Sequence, residues 1–455
     1  MPLSPVPRGS ERGRRQDAGP RRPAAVYGGA ANKPTERTVP PIATTTGAKG
    51  RRRGAAGQLR RQNLSAVLQR LHLAGPCTRS DLTSATGLNR STIGDLIGEL
   101  AELGLVEEFA APVTAGPGRP SPVVHARPEG AVALAVELVV DSIAVATIGL
   151  GGHVYNQLRV ARSTDRFSPG ETVQDVAKLA GPLLDSLPVG HRLIGIGVAV
   201  AGITRRSDGH VQLAPNLGWT NVPLAALLQA ELGTAAPVVA ANEADLGALA
   251  EHRRGVRPGA DHLLFISGEV GIGCGAIIDG RPLLGAAGYA GEAGHTLVNP
   301  DGTECRCGAR GCWETEAGEL ALLRRAGLAD GTGGVDELVT RAEAGDPVVV
   351  RAVTEVGRWL GLGIGDLINL FNPQLVVLGG VYERLFDWLE PALTEGVRAR
   401  ALPAAAELAT IVRSGLGADA ALIGAAELVL SEVVADPTRR RRPRPRSAAS
   451  SASGS

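Results

Sequence analysis

Lysine is almost missing from this 455-residue chain: 3 of its 47 basic residues are Lys and the rest are Arg. That bias fits a GC-rich coding genome and excludes nothing by itself. Long apolar runs are missing as well. No 18-residue stretch is both apolar and free of charge. The best one, Ala131 to Gly152, is broken by Glu137 and Asp141, so no membrane insertion is expected. The Arg-rich N-terminus has neither an apolar core nor a cleavage signal, so no secretory leader is expected and the expected location is the cytoplasm. Cysteines are few, five in all, yet Cys305, Cys307 and Cys312 fall within eight residues. In a large chain without an export signal, such a cluster reads as metal binding before disulfide.

Net charge is also nearly missing, at +1, which taken alone speaks against a nucleic-acid binder. The total conceals an uneven layout. Residues 1–57 carry 12 basic and 3 acidic side chains (+9), and residues 58–130 carry 7 of each (0). Residues 436–455 carry 6 Arg and 1 Asp (+5), which leaves −13 on residues 131–435. Two basic tails flank an acidic body, and charge has to be read segment by segment.

Length suggests about three domains at roughly 150 residues each. Residues 1–57, rich in Pro, Gly, Arg, Ala and Thr without apolar periodicity, read as a disordered basic extension. Residues 436–455 read as a disordered Arg-rich tail. Both carry the charge to add non-specific phosphate affinity, although a solvated tail is the plainer reading.

Order is expected from Gln58. Leu64, Val67, Leu68 and Leu71 share one helix face. Thr78 suits the N-cap of a short helix carrying Leu82 and Ala85. Asn89 suits the cap of a third helix, in which Ile93, Leu96, Ile97, Leu100 and Leu103 hold the helical spacing. Leu105–Phe109 and Pro122–Ala126 read as two strands joined by a Gly/Pro loop. Three short helices and a hairpin over 58–130 make a winged helix-turn-helix. The outer N-terminal positions of the third helix, Asn89, Arg90, Ser91, Thr92 and Asp95, are small or hydrogen-bonding, as a recognition helix requires in the major groove. Arg90 suits guanine and Asn89 adenine as bidentate partners. Gly116-Pro117-Gly118-Arg119-Pro120 supplies an extended arm whose Arg119 suits a narrow minor groove. A helical bundle that docks protein is the alternative, and the neutral local charge favours it slightly.

From 131 onward, buried strands (131–138, 143–150, 193–201, 237–241, 263–267, 375–379) alternate with helices (170–186, 222–232, 243–254, 345–371 and near 383–397). That alternation means α/β, in two lobes with a cleft between them. The sharpest local signal is Gly291-Glu292-Ala293-Gly294-His295 followed by Cys305-Arg306-Cys307-Gly308-Ala309-Arg310-Gly311-Cys312-Trp313-Glu314. One His and three Cys fit a closed, structural tetrahedral zinc site, with His295, Cys305, Cys307 and Cys312 as ligands. Intervening glycines let the backbone fold tightly about an ion. Ordinary buried thiols are the bland alternative.

This cassette, with the winged helix-turn-helix ahead of it, resembles the ROK family of repressors, open reading frames and sugar kinases, and in particular its xylose-repressor-like branch. The resemblance spans about residues 58–430. It implies a two-lobed actin/sugar-kinase-like, RNase H-like body over 131–435. Lobe one would take about 131–240 plus the C-terminal helix, and lobe two about 241–417. It implies sugar-hydroxyl ligands at Glu292, His295 and Glu314, with His295 serving metal and sugar through one ring nitrogen each. Asn242, opening a helix, matches a further sugar ligand. Asn216, in Pro215-Asn216-Leu217-Gly218-Trp219, matches a loop closing one side of the sugar, though it could equally be a plain turn residue.

The departures from the family's kinases bear on activity. Glu137-Leu138-Val139-Val140-Asp141 stands where the kinases carry a glycine-bearing phosphate turn. Val-Val does not take that geometry readily, and Asp141 puts negative charge near phosphate oxygens. Glu243 stands at the position of the kinase general base, and its extra methylene shifts the carboxylate. Glu269, in Ser267-Gly268-Glu269-Val270-Gly271, would repel a phosphate where the kinases carry Thr. The expectation is therefore a non-enzyme: a sugar-responsive transcriptional regulator, most simply a repressor of carbohydrate uptake or catabolism genes. Its expected partners are operator DNA, a monosaccharide and a second copy or more of itself (homodimer or homotetramer), with a sugar-transport protein as a further candidate. A sugar kinase with an appended DNA-binding domain is the alternative.

Overall fold

The computed structural model describes residues 48–110, 121–162, 168–328 and 334–439. The chain divides into a unit ending at Arg52 and a unit from Arg53 onward. All the helices and strands of the described residues, apart from the first residues of α1, lie in the second. The expected tail 436–455 falls outside the described residues from position 440, as does Arg119 with its arm.

The N-terminal part comprises α1 (Ala48–Ala74), β1 (Cys77–Thr78), α2 (Arg79–Thr86), α3 (Arg90–Glu102), β2 (Val106–Phe109) and β3 (Val123–Ala126). The strands form a small sheet in the order β1-β3-β2. Thr78 caps α2 in a reciprocal capping box with Asp81, and the Asn89 side chain caps α3 by accepting from the Thr92 N–H. Leu64, Val67, Leu68, Leu71, Leu82, Ile93, Leu96, Ile97 and Leu100 are buried. This is a winged helix-turn-helix. Helix α1 starts at Ala48 rather than near Gln58, so the end of the segment read as disordered is helical.

The body opens with β4 (Val132–Leu138), β5 (Ser142–Gly149), β6 (Val154–Ala161), α4 (Pro169–Asp185) and β7 (Leu193–Val200). Next come β8 (Ile203–Arg205), β9 (His210–Ala214), β10 (Trp219–Val222), α5 (Leu224–Glu231) and β11 (Val238–Asn242). Then follow α6 (Glu243–Arg254), β12 (Leu263–Gly268), β13 (Ile272–Ile278) and β14 (Arg281–Pro282). After them run α7 (Trp313–Ala317), α8 (Glu319–Arg325), α9 (Gly334–Glu343), α10 (Pro347–Phe371), β15 (Leu375–Gly380) and α11 (Val381–Arg384). The chain closes with α12 (Phe386–Arg400), α13 (Pro403–Leu408), β16 (Thr410–Arg413) and α14 (Ala420–Ala435). Two five-stranded sheets result, β11-β7-β4-β5-β6 and β14-β13-β12-β15-β16. In each, the first three strands in sequence run antiparallel and two further strands add parallel to the first. The repeated pattern is the two-lobed sugar-kinase-like body expected.

Strand β6 escaped the sequence reading because its side chains are mostly exposed and give no apolar alternation. The small sheet β8–β10 escaped because its strands are short. Helix α14 packs on β4, β5 and β7 and along α6. Close approach there demands glycine: a Cβ on Gly424 would sit 1.9 Å from the Leu246 carbonyl oxygen, and one on Gly197 would sit 1.9 Å from that of Ala425.

Two substitutions separate packing from helix propensity. Gly424→Ala gains about 1 kcal/mol of propensity but forces α14 off α6, so a net loss of stability is expected from overpacking of about 1–3 kcal/mol. Gly181→Ala in α4 meets nothing within 4 Å among the described residues and should stabilise by up to about 1 kcal/mol. Denaturant unfolding of both variants checks the pair, and a stabilised Gly424→Ala would contradict the close contact.

Candidate functional site

The thiol cluster is built by turns pressed against lobe two. A single helical turn, Ala293–His295, presents His295. Bridges pair Leu297 with Cys312 and Glu304 with Arg310, closing the intervening loop into a knuckle. Gly311, at φ 73°, passes so close to the Asn299 carbonyl that a Cβ would lie 1.7 Å from it. Trp313 is fully buried and donates its indole N–H to the Trp359 carbonyl at 3.0 Å, which anchors the knuckle on α10.

The candidate ligand atoms of His295, Cys305, Cys307 and Cys312 all lie within 4.8 Å of one another. Cys307 and Cys312 sulfurs are 3.6 Å apart, as are the Cys305 sulfur and His295 Nδ1. Thiolates at about 2.3 Å from a tetrahedral ion stand about 3.8 Å apart, so donors and spacing fit a bound metal. The ring nitrogen turned to the thiols is Nδ1.

The knuckle reaches two of the other expected ligands, Glu314 and Asn216. Glu314 Oε1 lies 2.9 Å from the Cys305 sulfur and 3.5 Å from His295 Nδ1. Arg306, between two of the thiols, donates to Asn216 Oδ1 at 2.6 Å. Asn216 thus faces the knuckle, but its oxygen is taken by Arg306. Asn242 Oδ1 accepts from the N–H groups of Ala244 and Asp245 at 2.8 and 3.3 Å, and its amide donates to the Gly202 carbonyl. It is therefore the N-cap of α6 before it is anything else. Glu292 is exposed beside the turn that carries His295.

Carboxylates crowd the neighbouring face. Glu243 Oε2 is buried without a hydrogen-bond partner among the described residues. Burial, and then the charges of Glu269, Glu137 and Glu292, push its carboxyl far above the usual range. Glu269 accepts from the Ser267 hydroxyl at 3.1 Å. It is pushed up to about 8 by burial and by Glu319 and Glu137. Burial and the nearby Asp141 push Glu319 up to about 7. Glu137 is buried and ion-paired with Arg159 at 2.7 Å, yet burial still raises it. Sequence reasoning missed Glu319, Arg206 and Asp245. Buried Asp245 is pushed up to about 7 by desolvation despite the opposing charge of Arg206. Its place one turn into a capped helix, three residues beyond Asn242, was the available signal.

On the winged domain, Arg90, Ser91 and Asp95 are exposed at the start of α3, and Thr92 is half-buried. Asn89 departs from its expected role. Its oxygen accepts from Thr92 N–H at 2.8 Å and from the Ser91 hydroxyl at 2.7 Å. The oxygen half of a bidentate adenine contact is already spent on the cap.

The raised carboxyls set a pH dependence. Each binds its proton more tightly folded than unfolded, so the native state holds more protons and stability falls as pH rises. The window runs from the ordinary values of 4.5 and 3.8 up to about 7 for Glu319 and Asp245 and about 8 for Glu269. Glu269→Gln should flatten that fall and gain most at the alkaline end. Unfolding midpoints taken between about pH 5 and pH 8 check this, and a stability that rises across the window would refute it.

Comparison with known proteins accounts for the arrangement. Residues 133–432 match the ROK family. The xylose repressor of Caldicellulosiruptor bescii is 30% identical over 378 residues, 79% of this chain and 93% of that one. Among solved structures, a ROK family transcriptional regulator, a homolog of the E. coli MLC protein, superposes with a TM-score of 0.68 at 26% identity, over 83% of this chain and 97% of that one. A ROK family glucokinase from Streptomyces griseus, in complex with glucose and AMPPNP, superposes at 0.56 and 29% identity over 66% and 99%. With its body matched almost end to end and its winged domain covered as well, the chain belongs to the ROK family.

Proposed function

We propose that the chain is a sugar-responsive DNA-binding repressor of carbohydrate uptake or catabolism genes, and that it transfers no phosphoryl group. The observation that carries this reading is the joining of a winged helix-turn-helix to a sugar-kinase-like cleft walled with carboxylates. Phosphoryl transfer needs donors and cations around the phosphates. In this reading Glu137, Asp141, Glu269 and Glu319 stand on the side that the resemblance assigns to the phosphates and supply no cation, and Glu243 in place of a kinase base has no partner for its buried oxygen among the described residues.

The same cleft suits a neutral polyol. Asn242, Glu243, Glu292, His295, Glu314 and Asn216 supply acceptors and donors for vicinal hydroxyls. Zinc is the proposed ion in the His295–Cys305–Cys307–Cys312 cluster, where it would close the knuckle as a structural element. With Nδ1 turned to the thiols, Nε2 of His295 is left for a hydroxyl. Arg90, Ser91, Thr92 and Asp95 would meet base edges, with Arg119 in the adjoining minor groove. A homodimer or tetramer would set two winged domains over two half-sites.

A DNA fragment selected from a random pool by the full chain, titrated with D-glucose, D-xylose and N-acetylglucosamine, tests the reading. Loss of DNA binding with one sugar, and no ATP-dependent phosphorylation of any, is the expected result; turnover would make the chain a kinase instead. Cys312→Ser should lose its zinc by elemental analysis and melt at a lower temperature. It should keep DNA binding while losing the sugar response. Unchanged metal content would remove the cluster from the account.

A further inference from the structure

Helix α6 has the sugar-side cap Asn242 at one end, and its other end enters a buried ionic centre that belongs to neither the cleft nor the knuckle. Glu427, on α14 and 1% exposed, is the hub. It accepts from Arg254 Nε at 2.6 Å, from Arg253 at 2.8 Å and from His72 Nε2 at 3.0 Å. His72 lies in the last turn of α1, in the winged domain, and is itself 1% exposed. The Gly151 N–H donates to His72 Nδ1 at 2.9 Å. That fixes Nδ1 as acceptor and places the ring proton on Nε2, facing Glu427. Arg254 also donates to the carbonyls of Gly151 and His72. Burial alone would raise the Glu427 carboxyl, but the bond from His72 and the charges of Arg254 and Arg253 hold it far below the ordinary range.

The last turn of α6 is tied to lobe two as well. Glu251 Oε1 accepts from the Ser414 hydroxyl and from the Gly415 and Leu416 N–H groups. One helical turn therefore holds β16's exit loop through Glu251, α14 through Arg253, and α1 with the Gly151 turn through Arg254. The helix has 12 residues, so its ends stand about 18 Å apart. Apolar packing carries the same link, since Leu64, Leu68 and Leu71 share a buried cluster with Leu150, Leu246, Leu430 and Val434.

We propose that α6 and the Glu427 centre relay occupation of the cleft to the winged domain, with Arg254 as the positioning residue. The relay rests on the functional reading above for its input, but not for its existence. A helix whose N-cap is a cleft side chain does not shift at that end without moving its last turn. A buried carboxylate held by three cationic or hydrogen-bonding partners does not give one up cheaply. Strain from the cleft therefore passes to α1 rather than dissipating at the joint.

Coupling between sites is reciprocal, which makes the relay testable without knowing the effector. Hydrogen exchange is followed in the full chain with and without the DNA fragment selected from the random pool. DNA is expected to change the exchange of the Ala244 and Asp245 amides, the two that Asn242 caps. Arg254→Gln should bind the same DNA and leave those amides unmoved, while Arg254→Lys, keeping the charge, should recover part of the change. A second arm adds D-glucose or D-xylose. Where wild type loses DNA affinity by about 5- to 150-fold, Arg254→Gln should lose less than about twofold. No change at Ala244 and Asp245 in wild type overturns the relay, as does an equal response in Arg254→Gln. Should Arg254→Gln not fold, the wild-type exchange result decides alone. A wild type whose amides respond to DNA but whose DNA binding ignores every sugar keeps the relay and sinks the sugar reading instead.

Discussion

The backbone of α6 is trapped between two halves of the protein, and that constraint organises the rest. One side of the helix lies on β12 and β13 of the second sheet, and the other lies along α14, which itself covers the first sheet. Gly424 and Leu246 approach too closely for any side chain larger than hydrogen. A helix held this way has a fixed axis, so its cap fixes where Asn242 and Glu243 stand and its last turn fixes where Arg253 and Arg254 stand. The cleft and the seat of the winged domain are thus two ends of one rigid element.

Two sets of buried carboxylates show how differently the protein treats charge. Glu427 is withdrawn from water but meets two guanidiniums and an imidazole N–H, so ionisation is favoured despite desolvation. Glu243 and Glu269 are withdrawn from water among like charges, Glu243 near Glu269 and Glu137 and Glu269 near Glu319 and Glu137, so the neutral acid is favoured. The first arrangement stiffens a joint. The second is costly to keep charged and gains a use only if something in the cleft exploits it. A protonated carboxyl donates as well as accepts, which suits a hydroxyl-bearing ligand.

The sequence was legible where chemistry is local. Capping by Thr78 and Asn89 could be read from residue type, the buried strands from apolar runs, and the His/Cys cluster from spacing alone. Strand β6 was not legible, because an edge strand with Asn156, Gln157 and Arg159 outward carries no buried face. The competing duties of Asn89, Asn216 and Asn242 were not legible either. Each carboxamide could be foreseen as a ligand, but only packing reveals that its oxygen already caps a helix or meets Arg306. The Glu427 centre lay furthest from view, since its partners are separated by 355 and 174 residues and nothing local distinguishes them from surface charges.

Charge within the winged domain follows from the same accounting. Arg60 pairs with Glu99, Arg79 with Glu108 and Arg127 with Glu129, so three of the domain's cations are neutralised by its own acids. Arg90 is exposed at the open end of α3, beside Ser91. A surface of this kind offers little diffuse attraction to phosphate, whose contribution scales with the number of cations that displace counterions. Discrimination then has to come from a few placed side chains and from the geometry with which the body presents the domain. Affinity that depends on presentation is easily withdrawn. A small rotation of α1 about its seat on α14 would reorient α3 without breaking any contact inside the domain, which is the economy a sugar-responsive repressor needs.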